Sequence, residues 1–286
     1  MTITFKNDYL ILSYKHKNFD LYQIKNHMAL TAREKKNIQI VWEGLDAILK
    51  EKSEAGIDAN FDERFIQHNP WAKDTSEHLK EMLQMDFGYK PIRWVSDENI
   101  MAYHGYYTAP NPLGDLPLYC TDAWRIENDK VIEHWDALMP ISDEQLQKAI
   151  AGSGNGEKDV SDETKATNKA TVKRFLDHVL NRGRLDEINS LVSADYVYHH
   201  ESAGVMTGQE ALVGHIQNKH GGRMQHDNKM ILASGDLVMA HSHFFGENER
   251  VVFDWFRLDG GKIAEHWSVE QPITPWEQVA NNHPHF

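Results

Sequence analysis

The chain has a single cysteine, Cys120, among 286 residues, so no internal disulfide braces it and no Cys pair is available to hold a metal. Such cysteine usage fits a reducing compartment, and a cytoplasmic location is expected. With 9 prolines and 18 glycines the composition excludes collagen-like and low-complexity classes. Basic residues are outnumbered: 30 Lys+Arg against 43 Asp+Glu leave a formal charge of −13. A surface of that sign repels phosphate backbones and anionic lipid, so neither nucleic acid nor membrane is expected as a partner. No run approaches the roughly 20 apolar residues of a membrane span, and the apolar run at residues 9–12 is far too short for a signal-peptide core. What is plentiful is histidine, 17 in all. Imidazole is both the neutral-pH acid/base and the commonest metal ligand, so histidine organises the search for a site.

The chain repeats itself. DAWRIENDKVIEHWD at residues 122–136 lies over DWFRLDGGKIAEHWS at 254–268, and the match continues from Pro140 and Ile141 to Pro272 and Ile273. The same alignment sets residues 65–69 (FIQHN) over 196–200 (YVYHH), and Val41, Leu45, Ile48 and Leu49 over Val172, Leu176, Val179 and Leu180. Between the copies, residues 151–157 (AGSGNGE) form a small-polar run with no periodic apolar face, which reads as a flexible linker. The expected organisation is an N-terminal extension at 1–32, forming an extra strand or arm on the first domain, then a domain at 33–150, a linker at 151–164 and a second domain at 165–286.

Within each copy the apolar period changes in a fixed order. Ile38, Val41, Leu45, Ile48 and Leu49 recur at three-to-four-residue spacing, as do Val172, Phe175, Leu176, Val179 and Leu180, so each unit opens with an amphipathic helix. A histidine-bearing strand, a short helix and a run of β-type segments follow. Asn128-Asp129 and Gly260-Gly261 are hairpin turn pairs, because these residues tolerate positive φ. This order predicts an α+β class: two tandem cone-shaped α+β barrels, each a curved mixed or antiparallel sheet wrapped around helices.

The order of elements, closing on Asp-x-aromatic-Arg-(x)4-Lys-(hydrophobic)-x-Glu-His-Trp, resembles the SnoaL-like, polyketide cyclase-like branch of the nuclear transport factor 2-like superfamily. The resemblance spans residues 33–141 and again 165–273. It implies a small-molecule pocket at the open end of each cone, and, from the cyclases of the branch, an Asp and a His on neighbouring strands doing acid/base work in an aldol condensation. Carried over by position, the acid/base candidates are Asp122 with His104 and His68 in the first copy, and Asp254 with His241 and His199 in the second. The first copy departs from the cyclase pattern in a Pro- and Gly-rich insertion at 108–118, a lid or an obstruction, so the second cone is favoured for chemistry. Members of this superfamily commonly pair through the open sheet face, and the resemblance implies that a tandem chain makes that pairing internally, as an intramolecular pseudo-dimer open to further homo-oligomerisation.

Strand side chains alternate faces, so Asp122 and Trp124 share one side. A carboxylate at an aromatic-lined mouth is suited to taking a proton from carbon beside a carbonyl, with a histidine donating to the enolate oxygen. Trp124, Tyr106, Phe256, His243, Trp135 and Trp267 are the expected substrate-contacting residues, whereas His134 and His266 are expected to be structural. Gly235, His241, His243 and Glu247 fit the first metal motif of cupins, but the second motif is absent, so no metal and no cofactor are expected. The predicted function is proton transfer on a small apolar or carbonyl-containing compound: aldol condensation or cyclisation, isomerisation, or dehydration. The alternatives are a non-catalytic tandem ligand-binding protein and, as a minor one, a His-based metal site in the second domain.

Overall fold

The computed structural model describes residues 30–154, 158–200, 204–220, 224–245 and 248–286. In the first unit α1 (Ala32–Leu49) and α2 (Glu54–Asn60) lead into β1 (Phe61–Gln67). The helix α3 (Ser76–Leu79) and a 3-10 turn (Lys80–Gln84) precede β2 (Tyr89–Asp97), β3 (Ile100–Tyr107), β4 (Leu118–Glu127) and β5 (Lys130–Pro140). After α4 (Asp143–Ala149) the order recurs as α5 (Asp162–Arg174), a π turn (Phe175–Leu180), α6 (Ile188–Leu191) and β6 (Val192–His200). A short strand β7 (Gly204–Thr207) and α7 (Gln209–His220) then precede β8 (Gln225–Ser234), β9 (Leu237–Phe245), β10 (Arg250–Asp259) and β11 (Lys262–Pro272). The sheets run β1-β5-β4-β3-β2 and β7-β6-β11-β10-β9-β8. In each, the first long strand is parallel to the last and the others pair antiparallel, so both sheets are mixed and the chain is α+β. The strand or arm expected before residue 30 lies outside the described residues, as does Glu247. No described helix is long and apolar enough to cross a membrane.

Local sequence explains the elements that position the site. Thr31 and Glu34 form a capping box that starts α1, each side chain bonding the other's backbone N–H. Ile38, Val41, Leu45 and Ile48 then bury one stripe against β2, β3 and β4. Asn128 and Asp129 turn the β4–β5 hairpin at φ 50° and 64°, and Gly260 and Gly261 turn β10–β11 at 54° and 77°, the left-handed backbone a two-residue hairpin needs. Those turns, each followed by a one-residue bulge beside Arg125 or Arg257, set the register that decides which side chains share a face.

Each sheet has an inner face covered by its own helices and an outer face turned to the other sheet. Trp94, Met101, Tyr103 and Trp124 pack inward on α1, and Val238, Ala240, Phe256 and Leu258 pack inward on Phe175 and Val179. The outer faces meet in one shared core, where Val95, Ala102, Tyr119, Ala123 and Ala137 pack with Met239, Val251, Phe253, Trp255 and Trp267. Strands lie against their own counterparts, β5 on β11 and β2 on β8, and the cross-contacts β5 to β10 and β4 to β11 exchange roles as a pseudo-twofold requires. Polar bonds stitch the seam: Trp255 Nε1 donates to Thr121 Oγ1 at 2.9 Å, and Leu138 N to Gln271 Oε1 at 2.8 Å. The Arg93 guanidinium lies 3.7 Å from the Trp267 ring centre and donates to the Ala151 carbonyl at 2.8 Å. The C-terminal segment crosses to the first unit, where Asn281 Nδ2 donates to the Asn69 carbonyl at 2.6 Å.

Histidines crowd this seam. His199 stacks on Trp267 at 5.1 Å, His241 on Phe253 at 4.2 Å, and His241 again on Phe286 at 5.4 Å. Burial, with Arg93 and His266 nearby and Glu265 partly offsetting them, lowers His199 to about 4. Burial, aided by His68, His285 and Lys229, lowers His241 to about 3, and burial with His243 and His68 lowers His285 to about 4. Rings held neutral in the fold bind protons more weakly than in the unfolded chain, where imidazole titrates near ~6.5. Their contribution is therefore complete above about pH 6.5 and is lost as pH falls toward 4. We expect the melting temperature to drop steadily over that window, with the fluorescence of Trp255 and Trp267 reporting exposure; a flat profile from pH 7 to pH 4 would contradict this account of the seam.

Candidate functional site

The hairpin registers divide the polar residues cleanly. Asp122 stands opposite Tyr103 and Asp136, and Trp124 opposite Met101 and His134, so Asp122, Trp124, His134 and Asp136 all point inward. His104 stands opposite Thr121 and Tyr106 opposite Tyr119, one position out of phase, so both point to the seam. In the second unit Asp254 pairs with Ala240 and Ser268, and Phe256 with Val238 and His266, placing Asp254, Phe256, His266 and Ser268 inside. His241 opposes Phe253 and His243 opposes Val251 on the outer face.

Inside the second unit a connected network surrounds Asp254. His266 Nε2 lies 2.9 Å from Asp254 Oδ1, its Nδ1 lies 2.9 Å from the Tyr196 hydroxyl, and the Ser268 hydroxyl donates to Asp254 Oδ1. A neutral ring satisfies every partner in one way: Tyr196 O–H donates to Nδ1 and Nε2–H donates to the carboxylate. Burial pushes the Asp254 carboxyl up, but the hydrogen bond from His266, the nearby His266 and His226 rings and the Ser268 hydroxyl outweigh it and hold Asp254 below its ordinary range. Asp254 Oδ2 makes no hydrogen bond among the described residues. Tyr198 and Phe256 sandwich the His266 ring at 4.4 Å on either side, fixing its orientation.

His226 on β8 joins this face. Its backbone is clamped by Asn181, whose Nδ2 donates to the His226 carbonyl at 2.8 Å while its Oδ1 accepts from the His226 N–H at 2.7 Å. Both ring nitrogens are buried and have no hydrogen-bond partner. Burial lowers this imidazole, only partly offset by Asp254 and Glu270, so it is neutral near pH 7 with one donor and one acceptor free.

The first unit uses different neighbours around the same Asp and His. Phe65 stands where Tyr196 does, Gln67 where Tyr198 does, and Asp136 where Ser268 does. His134 Nε2 is 3.2 Å from Asp122 Oδ1 and its Nδ1 is 2.9 Å from Gln67 Oε1. That oxygen also accepts the Asn69 backbone N–H at 2.9 Å, which identifies it as the carbonyl end of the amide, so His134 carries its hydrogen on Nδ1. Tyr107 O–H donates to Asp122 Oδ1 at 2.9 Å and Asn69 Nδ2 to Asp136 Oδ2 at 2.7 Å. Burial and the Asp122 charge raise Asp136 to about 6, against the lowering pull of His134 and Asn69. Rings fill the rest: Tyr103 packs edge-on against Trp42 at 5.6 Å and Trp124 at 5.7 Å.

The expected pairings of Asp122 with His104 and His68, and of Asp254 with His241 and His199, do not form, because strand parity puts those four histidines on the far side of the sheet. His68 stacks on Trp135 at 5.0 Å and bonds Glu133 Oε1 at 2.8 Å, and His104 bonds Tyr119 O–H at 2.7 Å and Arg93 at 3.2 Å. Tyr106, Trp135 and Trp267 pack in the seam core, and His243 meets Phe286 at 4.8 Å and Glu249 at 3.1 Å. Trp124 and Phe256 do face inward with their aspartates. The histidines that meet Asp122 and Asp254 are instead His134 and His266, read from sequence as structural; counting across each hairpin from its turn would set Trp135 and Trp267 opposite the aspartates, and a one-residue bulge beside Arg125 and beside Arg257, which no sequence signal marks, shifts the pairing to Asp136 and Ser268. His226, Tyr196 and Ser268 carried no motif.

A family model described as a SnoaL-like domain matches residues 172–266. The chain therefore carries a SnoaL-like domain, and it is the part that contains Asp254 and His266. Solved structures similar to this chain include an LEH-like epoxide hydrolase from M. tuberculosis, 17% identical, covering 37% of this chain and 84% of its own, TM-score 0.34. A candidate ketosteroid isomerase from Kribbella flavida is 15% identical over 39% of this chain and 82% of its own, TM-score 0.35. A candidate polyketide cyclase from Bacillus cereus is 23% identical over 39% and 79%, TM-score 0.35. No curated protein matches the sequence significantly.

Replacing Tyr196 by Phe, the residue type at the matching position of the first unit, strips the donor from His266 Nδ1 and leaves a buried acceptor bare. The expected loss of stability is about 1–3 kcal/mol, read by urea denaturation; a variant as stable as the parent would show that Tyr196 does not donate to that ring.

Proposed function

We propose that the second unit is a small-molecule enzyme that moves a proton at carbon beside a carbonyl, using Asp254 as base. The observation that carries this reading is the juxtaposition, on one inner face, of an ionised Asp254, whose bonds from His266 and Ser268 both fall on Oδ1, with a neutral His226 that has two unpartnered ring nitrogens. Oδ2 accepts the α-proton, and the His226 N–H donates to the oxygen on which charge develops. His266 and Ser268 act through Asp254: they hold its other oxygen and keep the carboxylate aimed, and Tyr196 fixes the His266 tautomer. Phe256 and Tyr198 supply apolar walls that suit a substrate with a hydrocarbon body.

From the enolate three outcomes are open to the same groups. Attack on a second carbonyl gives aldol condensation or cyclisation, reprotonation at a distant carbon gives isomerisation, and loss of a β-hydroxyl gives dehydration. Each returns the proton held on Asp254, so no redox partner is consumed.

The test is hydrogen exchange at α-carbons of a panel of small ketones and β-hydroxy ketones in D2O, followed by proton NMR with the full chain. Asp254→Asn is expected to slow exchange about 100- to 10,000-fold while ligand affinity changes little, because the substitution preserves shape. An undiminished rate would remove Asp254 as base, and a loss confined to Asp122→Asn would move the chemistry to the first unit. Ligands that bind but never exchange would favour a tandem binding protein.

A further inference from the structure

The inner face of the first unit holds three groups that proton transfer in the second unit does not use. Asp122, His134 and Asp136 each offer one ligand atom, and these atoms lie within 4.8 Å of one another, all buried. Asp122 Oδ2 and Asp136 Oδ1 have no hydrogen-bond partner. The two carboxylates stand directly opposite each other across β4 and β5. Among the described residues no Lys or Arg forms an ion pair with either; the recorded pair is with His134. When the His134 ring carries one hydrogen, Gln67 holds it on Nδ1 and the lone pair of Nε2 faces Asp122.

Three acceptors thus converge with no donor among them. A single proton bridges two of them and leaves the third facing a lone pair. Satisfying all three with protons takes two at once, one on Nε2 and one between the carboxyls. One dication does the same and also cancels two carboxylate charges in a buried site, where uncompensated charge is costly.

We propose that Asp122, His134 and Asp136 bind one divalent transition-metal ion of the Zn2+ or Mn2+ class. An imidazole nitrogen with two carboxylate oxygens is a donor set suited to such ions, and three protein donors are the number found in sites that keep a coordination position for water or a ligand oxygen. Each ligand also has the outer partner that metal sites use to aim their ligands. Gln67 takes the Nδ1–H of His134, Tyr107 donates to Asp122 and Asn69 to Asp136. The second unit lacks the set, because Ser268 replaces the second carboxylate and Tyr196 hands its proton to Nδ1, leaving the His266 Nε2 a donor. His134 is the most exposed of the three, its side chain 10% accessible.

The experiment strips the full chain with a chelator, then titrates it with Zn2+ and with Co2+ as an absorbing probe. The expected result is one equivalent bound per chain, a visible Co2+ spectrum of low-symmetry nitrogen and oxygen coordination, and a melting temperature raised by about 5 °C at a hundredfold excess over Kd. Asp136→Ser, which copies the second unit, and Asp136→Asn, which keeps the shape, should each lower affinity at least tenfold while circular dichroism stays unchanged. If Asp136→Ser does not fold, the Asp136→Asn variant and the parent's stoichiometry still decide. Binding that survives both substitutions belongs to surface histidines and overturns the proposal, as does the absence of stoichiometric binding by the parent.

Discussion

The two-residue turns at Asn128-Asp129 and Gly260-Gly261, each followed by a one-residue bulge beside Arg125 or Arg257, set the register of the β4–β5 and β10–β11 hairpins, and nearly everything chemical in this chain depends on that register. Because successive strand residues point to opposite faces, a turn and bulge that together lock Asp122 opposite Asp136 also lock His134 beside them and send Trp135 to the other side. The same holds for Asp254, Ser268, His266 and Trp267. One geometric choice divides each unit into an inner face, where carboxylate and imidazole meet under the helices, and an outer face, where stacked histidines and tryptophans join the sheets.

The outer faces make the two units depend on each other. Trp255 and Trp267 are wholly buried against residues of the first unit, and fully burying an aromatic side chain contributes about 1.5–3 kcal/mol. Hydrogen bonds such as Trp255 to Thr121 cross the seam, while His199 and His241, lowered by burial, stack on aromatic rings with both ring nitrogens unpartnered. This explains the abundance of histidine that the composition displays: much of it builds the joint between domains.

The inner faces of the two units differ. The Asp and His are common to both, but the proton of the imidazole is placed by the neighbour on the adjacent parallel strand: an amide oxygen from Gln67 in one unit, a hydroxyl from Tyr196 in the other. That single difference converts the same Asp–His pair from a donor-to-acceptor hydrogen bond into a convergence of acceptors. The fold was legible in the sequence because the repeat, the helical periods and the turn pairs are local signals, and the inward placement of Asp122 with Trp124 followed from alternation within one strand. That Asp122 meets His134 and not His104 was not, since it required knowing the register between strands, including the bulge beside Arg125. Nor was β7, a four-residue strand whose apolar pattern is too short to read. His226 and Tyr196 escaped notice for the same reason: their roles come from neighbours distant in the chain.

The opposite placement of protons on His134 and His266 is the central claim, and nitrogen-15 NMR of the imidazole rings in metal-free protein tests it most directly. The account predicts a protonated Nδ1 with a bare Nε2 at His134, and a protonated Nε2 with a bare Nδ1 at His266. The same tautomer on both rings would contradict it.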